Sequence, residues 1–271
     1  GGLAVSTNDD YVVRLKDGWA ERTPLWLLPS DFGDLLTYAN LLPLLDPEAG
    51  CFGLQFPRMY ERDEGISSMP DLAAFFVKRL LAVQPKGPYL LAGYCFGGLV
   101  AMEMAKQLTA AGHTMGFLGL LDARPYHPVV ARGERLRMMF VGAFRAKVSD
   151  WRRYLMAKWD MQREATLIDL MARKNPDRLG RRELNRWVLE TKVLGRFRSA
   201  EYDGHITYLY PDESQYQLYD DPTFGWLNMA ERVTMYKVPG SHLTMLKDPH
   251  VRDLARYLQA SIRKALEEKT A

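Results

Sequence analysis

Residues 88–98 read Pro88-Tyr89-Leu90-Leu91-Ala92-Gly93-Tyr94-Cys95-Phe96-Gly97-Gly98. A short apolar run opened by a proline predicts a buried strand. It runs into a glycine-rich turn, and from Gly97 to Ala111 the pattern predicts a helix with Gly112 as its stop signal. Strand, tight turn and helix in that order are the setting of a nucleophile elbow, here with cysteine where serine is usual. A turn that sharp strains its central residue, so the flanking positions must be small, and Gly93, Gly97 and Gly98 satisfy this. The helix points its N-terminus at Cys95, which favours negative charge there. It also aims the Phe96 N–H at the place where an oxyanion would form. A GxCxG alone is a weak pattern; its position between strand and helix gives it weight.

Working outward, short apolar runs recur at Leu25–Leu28, stopped by Pro29, at Cys51–Gln55, closed by Pro57, and at Phe117–Leu121, ending on Asp122. Strand character returns at Ile206–Tyr210 and Val233–Val238. Helical spacing occupies Tyr38–Leu42, residues 70–84 and residues 249–266. Strands alternating with helices predict an α/β fold with a mostly parallel sheet, whose site lies at the carboxyl ends of the strands. From about 128 to 195 the chain reads as successive helices rich in Arg, Met and Trp, broken around Asn175-Pro176. The expected organisation is one domain over 1–271, with a core of 1–125 and 201–271 and a helical insertion at 126–200 above the active edge. There is no internal repeat.

A cysteine nucleophile needs a base, and the base needs an orienter. In an elbow-type fold they follow in the order nucleophile, acid, histidine. Asp122 ends the apolar strand after the elbow helix, where an unpartnered carboxylate would be costly. His242 lies in Pro239-Gly240-Ser241-His242, a loop after the last strand and at the same sheet edge. The other four histidines lack such placement: His113 follows a helix end, His250 opens a helix, His205 precedes a strand on the wrong side, and His127 has no such context. Cys51 starts a strand without an elbow and reads as buried packing. The second oxyanion donor is expected in Pro29-Ser30-Asp31-Phe32-Gly33-Asp34, at the backbone N–H of Asp31.

Composition narrows the rest. With 271 residues, 47% hydrophobic and 25% charged, the chain is of globular type. No apolar run approaches the roughly 18 residues of a membrane helix, and the first ten residues show no signal peptide. Two cysteines make no disulfide framework, so a reducing, cytoplasmic location is expected. CxxC and HExxH are absent, so no structural metal is expected. Net charge is +3, but residues 126–200 carry 18 Lys+Arg against 8 Asp+Glu. That +10 segment suggests an acidic partner. No nucleic-acid-binding motif accompanies it.

Taken together, these segments resemble the thioesterase domains of the α/β-hydrolase fold that end polyketide synthases and nonribosomal peptide synthetases. The resemblance spans most of residues 23–262. It rests on residues 87–98, Ala101-Met102-Glu103-Met104-Ala105, Leu120-Leu121-Asp122, Tyr202-Asp203-Gly204 and Pro239-Gly240-Ser241-His242, all in order. It implies that Cys95 takes an acyl chain from the phosphopantetheine arm of a carrier protein, with His242 as base, Asp122 as its orienter and the Phe96 and Asp31 amides as the oxyanion hole. No bound cofactor is implied. Residues 126–200 match the family's helical lid, whose basic surplus would suit an acidic carrier protein. Two departures stand out: Cys95 replaces the usual Ser, and the acidic Asp31 sits in a loop that is usually small or apolar. A cysteine hydrolase of the dienelactone-hydrolase kind and a non-catalytic carrier-binding module are the competing readings.

Overall fold

The computed structural model describes residues 10–19, 21–30, 35–46, 48–57, 65–125, 188–194, 197–213, 223 and 225–268. Seven strands form one sheet: β1 (Val12–Lys16), β2 (Leu25–Leu28), β3 (Cys51–Leu54), β4 (Tyr89–Tyr94), β5 (Met115–Leu121), β6 (Tyr202–Pro211) and β7 (Ala230–Val238). Their order is β1-β3-β2-β4-β5-β6-β7. All neighbouring pairs are parallel except β1 with β3. The segments before residue 126 and after residue 200 thus share one sheet. Three helices are described in full: α1 (Met69–Val83), α2 (Phe96–Ala110) and α3 (Val251–Glu267).

The central strands are buried on both faces, which is why they read as continuous apolar runs and not as alternating ones. Along β4 the side chains divide between two cores. Tyr89 and Leu91 join Phe76, Leu80, Met104 and Leu108 of α1 and α2. Leu90, Ala92 and Tyr94 join Val251, Leu254 and Leu258 of α3, with Tyr38 and Leu41. The result is three layers, helix on sheet on helix, as the strand–helix alternation predicts.

Local signals fix the helix ends. The Ser68 hydroxyl accepts the Asp71 N–H at 3.3 Å and donates to the Asp71 carboxylate at 2.8 Å, which starts α1. At the end of α2, Gly112 takes φ +80°, with its N–H on the Thr109 carbonyl and the His113 N–H on that of Leu108. This is a Schellman stop, and it satisfies carbonyls that the helix end would orphan.

The segment predicted as a helix through Tyr38–Leu42 is instead two 3₁₀ turns, Leu36–Tyr38 and Leu42–Leu44. Pro43 in the second turn cannot donate to a helical ladder. The antiparallel edge strand β1 carries Arg14 and Lys16 and was not foreseen. The predicted helices of 128–195 lie outside the described residues except for a short π-helix at Leu189–Leu194.

Candidate active site

The elbow is built by backbone sterics. Cys95, between β4 and α2, has φ 55° and ψ −122°, a region that side chains other than glycine rarely occupy. Such a residue costs on the order of 1–3 kcal/mol and persists only where its surroundings over-determine it. Those surroundings are tight. A Cβ on Gly93 would lie 2.2 Å from the Gly97 carbonyl oxygen, and one on Gly97 would lie 2.4 Å from that of Pro29. The Cys95 N–H is held by the Leu121 carbonyl at 2.9 Å, and its carbonyl accepts the Gly98 N–H at 3.1 Å. The turn therefore leaves Cys95 partly exposed at the head of α2. Phe96 is the first helical residue, and its N–H is among those that a helix leaves unpaired at its N-terminus.

Gly97 packs against the carbonyls of Leu28 and Pro29, so the end of β2 abuts the elbow. The loop expected to supply the second oxyanion donor leaves from this point. Asp31 itself lies outside the described residues.

Asp122 follows β5 directly. Its backbone φ is 43°, and its N–H bonds the Leu209 carbonyl of β6 at 2.8 Å. The side chain is buried, and its carboxylate accepts from His242 Nδ1 at 2.6 Å. Its other oxygen accepts from the Tyr208 hydroxyl at 3.4 Å. Arg124 in turn hydrogen-bonds Tyr208. Burial and the neighbouring carboxylate together hold the Tyr208 phenol protonated. Trp226, fully buried, donates from its indole to the Ala123 carbonyl at 3.0 Å and packs beside Tyr208.

His242 sits in the loop after β7. Asp212, at the end of β6, accepts the Gly240 N–H at 2.8 Å, and the Glu213 N–H bonds the Gly240 carbonyl at 2.9 Å. Gly240 has φ +94°, and a Cβ there would lie 2.8 Å from the His250 ring. With Nδ1 engaged by Asp122, the other ring nitrogen is left to serve Cys95, whose side chain interacts with the ring. Burial disfavours the charged ring, but the hydrogen bonds to Asp122 and Cys95 and their charges outweigh it. The His242 pKa rises to about 10.

The structure thus brings Cys95, His242 and Asp122 together, His242 bonded to Asp122 and in electrostatic reach of Cys95. The other described histidines stay away from it: His205 bonds Thr234 Oγ1 at 2.8 Å, His113 packs edge-on against Tyr89, and His250 precedes α3. Cys51 is fully buried in the sheet. Tyr208, which bonds Asp122, and Asp212, which bonds the turn before His242, had no signal of their own in the sequence.

A parallel sheet, a strained strand-to-helix turn and a Cys–His–Asp line at its carboxyl edge define an α/β-hydrolase. The Thioesterase domain model matches residues 23–262, and the chain belongs to that family, an enzyme of the thioester-hydrolase class. It is 25% identical over 265 residues to the nonribosomal peptide synthetase atrA of Aspergillus terreus, covering 89% of this chain and 28% of that protein. It is 36% identical over 107 residues to a dimodular nonribosomal peptide synthase of Bacillus subtilis, covering 40% of this chain and 4% of that protein. The chain thus spans less than a third of the length of these multidomain relatives. The NocB thioesterase domain, solved in covalent complex with a fluorophosphonate nocardicin G analog, shares the fold with a TM-score of 0.64. Identity there is 23%, covering 93% of this chain and 99% of that one. The Vlm2 thioesterase domain bound with a dodecadepsipeptide gives a TM-score of 0.57 at 21% identity, covering 92% and 97%. Among the described residues no helix is long and apolar enough to cross a membrane.

Proposed function

We propose that this chain releases an acyl or peptidyl chain from the phosphopantetheine arm of a carrier protein, through a thioester on Cys95. The observation that carries this reading is the strained, partly exposed Cys95 beside a histidine whose Nδ1 lies 2.6 Å from a buried carboxylate. Cys95 Sγ bonds the acyl carbon, and the pantetheine sulfur leaves as the thiol with the proton that His242 took from Cys95. Asp122 holds the ring in the orientation this needs. In the second step His242 removes a proton from the acceptor, the acceptor bonds the acyl carbon, and Cys95 departs. The Phe96 amide, with the Asp31 amide, receives the oxyanion in both steps.

Cysteine favours capture by a nucleophile within the chain itself, giving a lactone or lactam, over hydrolysis. The first transfer exchanges one thioester for another and is nearly balanced in energy. The enzyme-bound thioester is more reactive toward amines than an oxygen ester would be. The carrier protein docks on the basic surplus of residues 126–200, the lid of this reading.

Mass spectrometry of the products from a peptidyl-pantetheine thioester bearing a terminal amine tests the release mode. A product lighter than the free acid by one water is expected, and free acid alone would contradict cyclisation. Charge reversal of several arginines in 126–200 should slow transfer from carrier protein while sparing small thioesters. Equal loss on both would contradict the docking reading.

A further inference from the structure

We infer that Tyr94 is a positioning residue for His242, gripping both its ring and the loop that carries it. Two independent contacts support this, and the inference rests on the reading of His242 as the base. The Tyr94 ring lies against the imidazole, with centroids 4.8 Å apart and planes inclined by 23°. The Tyr94 hydroxyl donates to the backbone carbonyl of His242. One side chain thus fixes the tilt of the imidazole and the height of its loop above the sheet.

Tyr94 is itself held from below. It is the last residue of β4 and is buried. Its N–H donates to the Tyr38 hydroxyl at 2.9 Å, and Tyr38, fully buried, donates to the Leu28 carbonyl at 2.6 Å. Leu28 ends β2, at the start of the loop that holds Ser30 and Asp31. A line of hydrogen bonds therefore runs from the end of β2, through Tyr38 and Tyr94, to the His242 loop after β7. It ties the ends of the paired strands β2 and β4 to the loop after β7, a strand that pairs with neither.

The contact also bears on charge. The titratable groups facing the imidazole are Asp122, from the end of β5, and Cys95, from the elbow. Asp212 stands one step back, on the Gly240 N–H. To these the Tyr94 ring adds a π face, whose negative quadrupole favours the imidazolium over the neutral ring. Tyr94 therefore both orients the base and helps it hold the proton taken from Cys95.

The test compares the unaltered chain with Tyr94→Leu, which loses both contacts, and Tyr94→Phe, which keeps the ring and loses the hydroxyl. NMR titration of histidine-labelled protein, with the His242 signal assigned through His242→Gln, reads the protonation of the ring directly. Stopped-flow acylation by a pantetheine thioester reads kcat and KM. Tyr94→Leu should lower the His242 midpoint by roughly half a unit to one unit. It should also cut kcat about tenfold or more at an unchanged KM, because the base is misplaced and substrate binding is untouched. Tyr94→Phe should hold the midpoint and lose kcat about threefold, at unchanged KM. A folded Tyr94→Leu protein, checked by near-ultraviolet circular dichroism, with midpoint and kcat unchanged would overturn the inference. If Tyr94→Leu does not fold, Tyr94→Phe decides alone, and a wild-type kcat there overturns it. Acylation persisting in Cys95→Ala would instead sink the proposed function, and the NMR midpoints would still judge Tyr94.

Discussion

The Nδ1 of His242 and the Oδ2 of Asp122 lie 2.6 Å apart, although 120 positions separate the two residues in the chain. The carboxylate is buried and the ring is half-exposed. A short bond of this kind selects one tautomer and presents the other nitrogen to Cys95. Asp122→Asn would keep the shape and bond the wrong tautomer. Acylation of the protein should fall about 10³–10⁴-fold, read as burst rate with a chromogenic thioester. A loss below tenfold would show that Asp122 does not orient the base.

The raised pKa of His242 makes a stability prediction with a definite sign. The ring binds its proton up to about pH 10 in the folded chain and up to about 6.5 when unfolded. Between those values the folded state holds more protons than the unfolded one, so unfolding free energy falls as pH rises. The contribution is fully present below pH 6.5 and lost as pH rises through 10. Urea unfolding at pH 6, 8 and 10 should show a steeper decline for the unaltered chain than for His242→Gln. Parallel declines would contradict the assignment.

Gly97 is required by space. Gly97→Ala would drive a methyl to within 2.4 Å of the Pro29 carbonyl oxygen and 2.5 Å of that of Leu28, both backbone atoms that cannot swing aside. Overpacking of this kind costs about 1–3 kcal/mol. It should also shift the elbow and slow acylation. Unfolding midpoints unchanged from the parent would refute the steric account.

Asp212 anchors the turn from which His242 projects, through the Gly240 N–H at 2.8 Å. Asp212→Ala should destabilise the protein by about 1–3 kcal/mol, the range for losing a charged acceptor. Its kcat should fall while the product stays the same. Hydrogen-exchange protection of the Gly240 amide gives the local readout, and undiminished protection would contradict the anchor.

Much of this arrangement was legible in the sequence because its signals are local. The elbow compresses strand, small residues and helix into residues 89–98, and each piece constrains the next. Leu120-Leu121-Asp122 and Gly240-Ser241-His242 are readable as polar residues at the carboxyl ends of apolar strands, where a parallel sheet gathers its chemistry. What escaped is non-local or visually ordinary. Tyr94 reads as one more aromatic in a buried strand, and its partner is 148 residues away. Tyr208 reads as core, which it is; that its hydroxyl reaches Asp122 depends on the β5–β6 register, Leu120 opposite Tyr208. β1 was missed because five residues with Arg14 and Lys16 among them look like a solvated loop until β3 pairs with them. The 3₁₀ turns around Tyr38 carry helical spacing but contain Pro43, and burial of Tyr38 and Leu41 against the sheet decides their form.

The proposed release chemistry requires that Cys95 carry the acyl group. Intact-protein mass spectrometry after incubation with an acyl-pantetheine thioester measures this directly, on the unaltered chain and on Cys95→Ala. The predicted result is a mass increase of one acyl group on the unaltered chain and none on Cys95→Ala. No adduct on the unaltered chain, or an equal adduct on Cys95→Ala, would contradict it.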